Sequence, residues 1–280
     1  MQPYITNWPY NKEKVICFTW DDANYTHFYM ALIFKWFGIR ETHFLNTQQL
    51  SLHHGFYHYL YNIIKPLGID IGSHTQNHVV VTEVDEDTLR KELVYSKQDI
   101  IKHFGIVPST FSHPTSSYSK STDKIIHEYF IDSRYSIEKE ADRRYEFMRV
   151  RKRYTHEFYK SELDKFDAST KDIYIYGGHG LDGYGYEPMS WKTLWSILKY
   201  VKTKFSSKYW IPTFSELSMF LRIRELGVTL IEKEGYIEID KSQIQDLLDK
   251  YPNTPAIITV MIDSSKVKTI DLQRNNKIEI

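Results

Sequence analysis

The chain has 280 residues, which is enough for one large α/β domain, alone or with a small appendage. Its 36 basic and 36 acidic residues cancel, so no global field attracts nucleic acid or an anionic membrane, and we expect neither as a partner. The single cysteine, Cys17, excludes an intrachain disulfide, and no apolar run approaches the roughly 20 residues that a membrane span needs.

Through residue 225, short β-prone runs alternate with amphipathic runs of helical periodicity. The sequence predicts strands at residues 15–20, 42–45, 68–73, 110–113, 132–134, 147–151, 172–176 and 209–212. It predicts helices at residues 27–37, 57–65, 85–104, 122–130, 191–204 and 215–224. Strands that alternate with helices indicate parallel pairing through helical crossovers, in a β/α barrel or in an open doubly wound sheet.

The pattern changes after Gly227, where Glu234-Gly235 separates two β-prone runs and indicates a hairpin. Strands of this part are predicted at residues 228–232, 236–239, 257–262 and 267–272. We therefore predict two parts, a barrel-type domain of residues 1–225 and a small, mostly β appendage of residues 226–280.

The polar residues best suited to chemistry follow directly after predicted strands. They are Asp21, Asp22, His74, His78, His113 and His179. The C-terminal ends of parallel strands meet at one edge, where β/α proteins build their sites, so we expect these side chains to lie together.

His74 and His78 are spaced i, i+4 after a hydrophobic strand and a Gly-Ser turn. On a helical turn this spacing puts both imidazoles on one side, within reach of one cation. The alternative is a pair of solvent-facing histidines.

Asp21 and Asp22 are adjacent carboxylates at a strand end, where their repulsion is costly unless a cation or a proton relieves it. Strand alternation sends the two side chains in different directions, so one Asp can bind a metal while the other faces a substrate. A helix N-cap or an Asx-turn is the alternative. One carboxylate with two imidazoles is a common ligand set for a catalytic divalent metal.

Two of these motifs carry a resemblance to a known family. Residues 19–22, Thr-Trp-Asp-Asp, resemble the Thr-Phe-Asp-Asp motif of the polysaccharide deacetylases (carbohydrate esterase family 4, nodulation-protein-B homology domain). Residues 73–78 match that family's Ser-His-[Ser/Thr]-x-x-His motif. The resemblance extends more weakly through residues 112–114, 178–180 and 210–216. It implies a distorted (β/α)7-8 barrel over residues 14–225.

The resemblance also implies roles. Asp22, His74 and His78 would hold a divalent metal, usually Zn²⁺ and in some members another divalent transition ion. Asp21 would be the general base that takes a proton from the attacking water, and His179 the general acid toward the departing amine.

The third motif departs from the family, which has Arg-x-Pro-aromatic-Gly where residues 112–116 read Ser-His-Pro-Thr-Ser. The Arg that would orient the base is missing, and we hypothesise that Arg134 supplies its charge to Asp21; a surface ion pair is the alternative. His113 is predicted either to contact substrate or to pack as a strand-end residue. Pro114 and Thr115 would line the pocket, with a backbone N–H near Thr115 completing the oxyanion site.

The predicted function is a hydrolase of non-peptide carbon–nitrogen bonds that removes N-acetyl, or secondarily O-acetyl, groups from an acetylated saccharide. One alternative is a catalytically silent saccharide-binding domain, which the altered third motif favours. The other is a metal-dependent amidase acting on a non-sugar C–N bond, because related barrels cleave such bonds.

Residues 1–10 lack the charged segment and apolar segment of a secretory signal peptide. The chain as written is therefore expected in the cytoplasm, and in the cell envelope or outside the cell if a signal has been removed from it.

Overall fold

The structure is a computed structural model that describes residues 2–51, 56–139 and 145–280. Strand β1 (Tyr4–Ile5) lies outside the main sheet. The main sheet contains β2 (Lys14–Asp21), β3 (Thr42–Leu45), β4 (Asp70–Ser73), β5 (Thr110–Phe111), β6 (Asp132–Ser133), β7 (Tyr145–Arg149), β8 (Ile173–Gly178) and β9 (Tyr209–Trp210).

The main sheet is parallel throughout and follows the order β6-β5-β4-β3-β2-β8-β7, with β9 paired to the start of β2. Within the described residues β6 and β7 do not pair, so the curled sheet is a barrel left open on one side. This confirms the predicted distorted β/α barrel. In the register Asp21 lies opposite Phe44 and Trp20 lies opposite Gly178, which brings the ends of β2, β3 and β8 to one edge.

Helices follow most strands of the sheet. They are α1 (His27–Phe37), α2 (Gln48–Ser51), α3 (Phe56–Ile64), α4 (Glu86–Phe104), α5 (Lys120–Tyr129), α6 (Arg134–Lys139), α7 (His156–Ala168), α8 (Trp191–Tyr200), α9 (Phe214–Leu226) and α10 (Gln245–Lys250). Local chemistry sets several of their ends: Asp85 accepts the Thr88 N–H to cap α4, and Thr213 forms a capping box at the start of α9.

Two predicted strands near the site end earlier than the sequence indicated. Strand β5 stops at Phe111 because Pro114 opens a 3-10 turn, and His113 before it is extended but outside the ladder. Arg134, predicted in a strand, is the first residue of α6. Helix α7 was not predicted, although Thr155 caps it and Tyr159 and Phe166 bury one face.

The remaining strands form two small antiparallel sheets. They are β10 (Thr229–Lys233), β11 (Tyr236–Asp240), β12 (Ile257–Met261), β13 (Val267–Asp271) and β14 (Lys277–Glu279). Strands β10 and β11 form the predicted hairpin, with Gly235 at φ 81° in its turn. Strand β1 pairs with β12, so the first residues of the chain and its C-terminal part belong to one sheet.

One hydrophobic core joins the C-terminal strands to the barrel. It contains Val15 and Ile173 from the starts of β2 and β8, Phe214 from α9, and Ile237 and Ile258 from the C-terminal sheets, all at most 2% exposed. The C-terminal part therefore packs on the side of the barrel where strands begin, away from the edge where they end. Among the described helices, none is both long and apolar enough to cross a membrane.

Candidate metal centre and catalytic pocket

A cavity of about 440 Å³ opens at the edge where the parallel strands end. Its lining residues are Asp21, Asp22, His74, His78, His113, Thr115, Ser116, Arg134, Phe147, Arg149, Gly177, His179 and Tyr186. The structure thus brings together every candidate site residue from the sequence except Pro114, which is buried beside the cavity and does not line it.

Asp22, His74 and His78 offer ligand atoms that all lie within 4.8 Å of one another. Asp22 Oδ1 is 3.8 Å from His74 Nε2 and 3.4 Å from His78 Nε2. His74 Nδ1 lies 2.7 Å from the Ser112 carbonyl, which only accepts, so Nδ1 carries the hydrogen and Nε2 presents a lone pair toward Asp22. This donor set fits a divalent cation.

The segment from His74 to His78 is an irregular loop, and the predicted helical turn is wrong. Thr75 and His78 have φ values of 64° and 59°, which bend the chain so that the two rings meet at a centroid distance of 4.9 Å. Glu92 of α4 holds this bend, because its carboxylate accepts the backbone N–H of Gln76 at 3.0 Å and of Asn77 at 2.8 Å.

Asp21 is buried beside this cluster and is bound by Arg134 through both carboxylate oxygens, with Nη1 to Oδ1 at 2.9 Å. The hypothesised contact of Arg134 with Asp21 is therefore present. Burial opposes ionisation of Asp21, but the Arg134 guanidinium, helped by His74 and His179, outweighs it and lowers the pKa of Asp21 well below its usual range. Asp21 is a carboxylate at neutral pH.

The Arg134 guanidinium packs on two aromatic rings, 5.5 Å from the Phe44 centroid and 5.2 Å from that of Phe147. Its Nη1 also donates to Thr19 Oγ1 at 3.0 Å. Gly177 makes room for this arrangement, since a Cβ there would lie 2.4 Å from the Phe147 ring. The glycine pair before His179 thus serves close packing, and neither glycine has a positive φ.

His179 directly follows β8 and lines the same cavity as the metal-ligand cluster. Its ring lies edge-on to Tyr186, at a centroid distance of 5.4 Å, and its Nδ1 is buried without a hydrogen-bond partner among the described residues. Its backbone carbonyl accepts from His27 Nε2 at 2.7 Å.

His113 is buried among Phe111, Tyr118 and Tyr135 and is one of the residues that line the cavity. Burial, reinforced by the positive charge of Arg134, lowers its pKa to about 3, so the imidazole is neutral. Thr115, by contrast, is exposed at the cavity rim with a φ of 55°.

Several lining residues were missed by sequence reasoning. Phe147 and Arg149 lie two residues apart on β7 and share a face, so the alternation of that predicted strand was a usable signal. Arg149 Nη2 donates to Ser116 Oγ at 2.6 Å, which ties β7 to the third-motif turn. Tyr186 comes from the Gly- and Tyr-rich loop between β8 and α8, for which the sequence left open a cleft rim or a simple surface loop.

Residues 9–132 match the family model described as polysaccharide deacetylase. This span includes Asp21, Asp22, His74 and His78, and it ends before Arg134. No significant match was found among curated proteins.

Solved structures share the fold over most of the chain. A putative polysaccharide deacetylase from Mycobacterium smegmatis is 14% identical, with a TM-score of 0.59 over 83% of this chain and 98% of that one. A family 4 acetyl xylan esterase from Clostridium thermocellum, solved with a cobalt ion, is 16% identical, with a TM-score of 0.55 over 73% and 90%. The peptidoglycan deacetylase PdaC from Bacillus subtilis is 18% identical, with a TM-score of 0.51 over 76% and 94%.

At these identities the structures establish the fold, which is that of the family 4 carbohydrate esterases. The family match over residues 9–132 agrees with this fold.

Proposed function

Because the chain resembles the polysaccharide deacetylases in sequence over residues 9–132 and in fold beyond them, we propose that it is a metal-dependent saccharide deacetylase. N-acetyl groups are its first expected substrate and O-acetyl groups its second. The observation that carries the proposal is the position of the Asp22-His74-His78 cluster beside the ionised, buried Asp21 in a single cavity.

Asp22, His74 and His78 would hold the metal, with Zn²⁺ as the expected ion because it favours this ligand set with positions open to water. A divalent ion bound there supplies Lewis acidity, which polarises an acetyl carbonyl and makes a water molecule more acidic. The Ser112 carbonyl contributes by keeping the lone pair of His74 Nε2 free for the ion.

Asp21 is the general base of this proposal. Its carboxylate is ionised at neutral pH and borders the ligand cluster, so it can accept a proton from the attacking water. Arg134 holds both carboxylate oxygens and leaves little freedom for the base to turn away.

His179 is the general acid of this proposal. It lines the same cavity from the end of β8, so it can give a proton to the amine nitrogen as the C–N bond breaks. On the rim, Tyr186 is 60% exposed and offers a ring face to a sugar, and the backbone N–H of Thr115 is the proposed donor to the carbonyl oxygen.

The proposal is tested by metal analysis of the purified protein, together with acetate release from chitooligosaccharides, peptidoglycan fragments and acetylated glycans. We expect about one divalent ion per chain and acetate release that stops when a chelator removes the ion. Asp21→Asn should abolish turnover and keep the metal, whereas Asp22→Asn should lose the metal.

Each failure has a separate meaning. Absence of metal with His74 and His78 intact would contradict the enzymatic proposal and favour a silent saccharide-binding domain. Metal without acetate release from any glycan would favour an amidase acting on a non-sugar C–N bond. Loss of metal in Asp21→Asn would mean that the two Asp roles are exchanged.

A further inference from the structure

His27, at the start of α1, is fully buried and bonded through both ring nitrogens. Its Nε2 lies 2.7 Å from the backbone carbonyl of His179, and its Nδ1 lies 2.5 Å from the Tyr61 hydroxyl. A carbonyl oxygen only accepts, so the hydrogen is on Nε2, and Nδ1 accepts from the Tyr61 O–H. This tautomer makes His27 a donor directed at the peptide unit that follows the proposed general acid.

The surroundings of His27 keep it in this form. Burial, followed by the nearby His43 ring at a centroid distance of 4.5 Å, holds the pKa of His27 well below its usual range. A neutral imidazole has one donor and one acceptor, which are the two roles that His179 and Tyr61 require.

A second contact comes from the adjacent residue. Thr26 Oγ1 accepts the N–H of Leu181 at 3.1 Å and donates to Asn24 Oδ1 at 2.8 Å. Gly180 lies between the two contacts, and a Cβ there would meet Thr26 Oγ1 at 3.1 Å and the Tyr184 carbonyl at 2.3 Å. The backbone of residues 179–181 therefore lies against the N-terminus of α1.

These contacts matter because the His179 ring packs edge-on against Tyr186, which is itself exposed, and within the described residues has no hydrogen bond at Nδ1 to fix its orientation. Its Nδ1 has no hydrogen-bond partner in the part of the chain that the structure describes, so no carboxylate fixes the imidazole there. The position of the ring then depends on where its backbone is held.

We propose that Thr26 and His27, the α1 clamp, are positioning residues that hold His179 in place for proton transfer. The inference rests on the proposed function, since it assigns a role relative to the general acid. Helix α1 begins five residues after the proposed metal ligand Asp22. One short segment would therefore position both Asp22 and the general acid His179.

Two amide variants test the clamp. In His27→Gln the side-chain nitrogen can occupy the place of Nε2 and donate to the His179 carbonyl. In His27→Asn the side-chain nitrogen occupies the place of Nδ1 and does not reach that carbonyl. We expect kcat to fall on the order of 10- to 100-fold in His27→Asn with KM unchanged, as for a misplaced catalytic group. His27→Gln should recover most of this loss, and both variants should bind metal as tightly as the wild type.

A second readout does not need turnover. Labelling with carbonyl-¹³C histidine and ¹⁵N glycine selects the His-Gly peptide units at residues 54–55 and 179–180, and His179→Gln assigns the second. The His179 carbonyl resonance should move upfield in His27→Asn, because a hydrogen bond to it is lost, and return in His27→Gln.

Wild-type kcat in a folded His27→Asn protein, or an unmoved His179 carbonyl resonance, would overturn the clamp. If His27→Asn does not fold, Thr26→Val replaces it: a lower kcat at unchanged metal affinity supports the clamp, and an unchanged kcat contradicts it. If the wild-type protein released no acetate, the proposed function would be contradicted. The His179 carbonyl resonance would still show whether His27 binds the backbone of His179.

Discussion

At the scale of single residues, Asp21 and Asp22 differ although they are neighbours in one motif. Asp21 is inside the barrel and bound by Arg134, while Asp22, with a φ of 66°, turns toward His74 and His78. The charge that the third motif lacks comes from a residue 113 positions away. In the proposed function Arg134 therefore takes the place of the missing motif residue, because it reaches the same carboxylate.

Replacement of Arg134 by Gln tests this compensation. The guanidinium lowers the pKa of Asp21, so its removal should raise that pKa, and the acid limb of kcat/KM should move to higher pH. The free energy of unfolding at pH 7 should fall by about 3–5 kcal/mol, because a buried carboxylate loses its partner. The pH profile and denaturant unfolding measure the two effects.

The pKa of Asp21 also determines how the contribution of this ion pair to stability changes with pH. The folded-state pKa is depressed, so the stabilisation is fully present above the unfolded value of about 3.9 and is lost as the pH falls below it. The difference between wild type and Arg134→Gln should therefore shrink in acid. Arg90→Gln, which removes a partly exposed guanidinium paired with Glu128, is the control and should leave the acid limb in place. If the acid limb of kcat/KM did not move in Arg134→Gln, Arg134 would not be the residue that lowers the pKa of Asp21.

At the scale of elements, the spacing of His74 and His78 predicted that the two side chains lie together, and they do. The helical turn from which this was argued is wrong, because the segment is a loop. An i, i+4 pair meets on a helix, but here two left-handed residues in a loop produce the same encounter. Such backbone conformations are costly for residues other than glycine and persist where neighbours hold them. The carboxylate of Glu92 on α4 is that neighbour.

Glu92→Gln should weaken metal binding about 10-fold, as expected for loss of a residue that orients metal ligands. The amide can keep its one oxygen on the backbone N–H groups of Gln76 and Asn77, but those bonds lose their negative charge, and the Asn77 side-chain amide loses its acceptor. The bend would then be held less tightly, and the two imidazoles would be less well aligned for one ion. Competition with a chelator measures the affinity. Glu86→Gln, on the exposed side of the same helix, is the matched control and should bind metal normally. Equal affinity in all three proteins would contradict the assignment.

Elements whose signals are local were predicted well from the sequence. Helix α1 and strand β3 were predicted with the bounds that the structure has, because Gly38 ends the helix and the apolar run of β3 is short. Helix α7 was overlooked despite its Thr155 cap. The sequence left two alternatives open for His113 and two for Arg134, because the neighbours of both residues depend on which strands are adjacent in the sheet.

At the scale of the whole molecule, the C-terminal strands and the barrel share buried surface that a division at residue 225 would separate. Strand β1 pairs Tyr4 with Met261, a contact between distant parts of the chain that no local pattern predicts. Trp8 packs against Trp210 and Phe220 in the same core. Continuous apolar burial of this kind favours one cooperative unfolding unit.

A chain ending at residue 227 should therefore fail to fold, because β1 would lose its partner and Phe214 and Phe220 would be exposed to water. In the full chain, near-UV circular dichroism and tryptophan fluorescence should report one coincident transition. Ile258→Ala, fully buried on β12, should lower the free energy of unfolding of the whole chain by about 2–5 kcal/mol.

Val267→Ala, 40% exposed on the adjacent β13, is the control for Ile258→Ala and should change that free energy by no more than about 0.5 kcal/mol. Two separate transitions, or a truncated chain with native near-UV signal and metal affinity, would instead show that residues 226–280 are an independent appendage. A single transition that Ile258→Ala shifts as a whole would mean that the C-terminal part stabilises the barrel from the end opposite the cavity, because the core it completes lies where the strands begin.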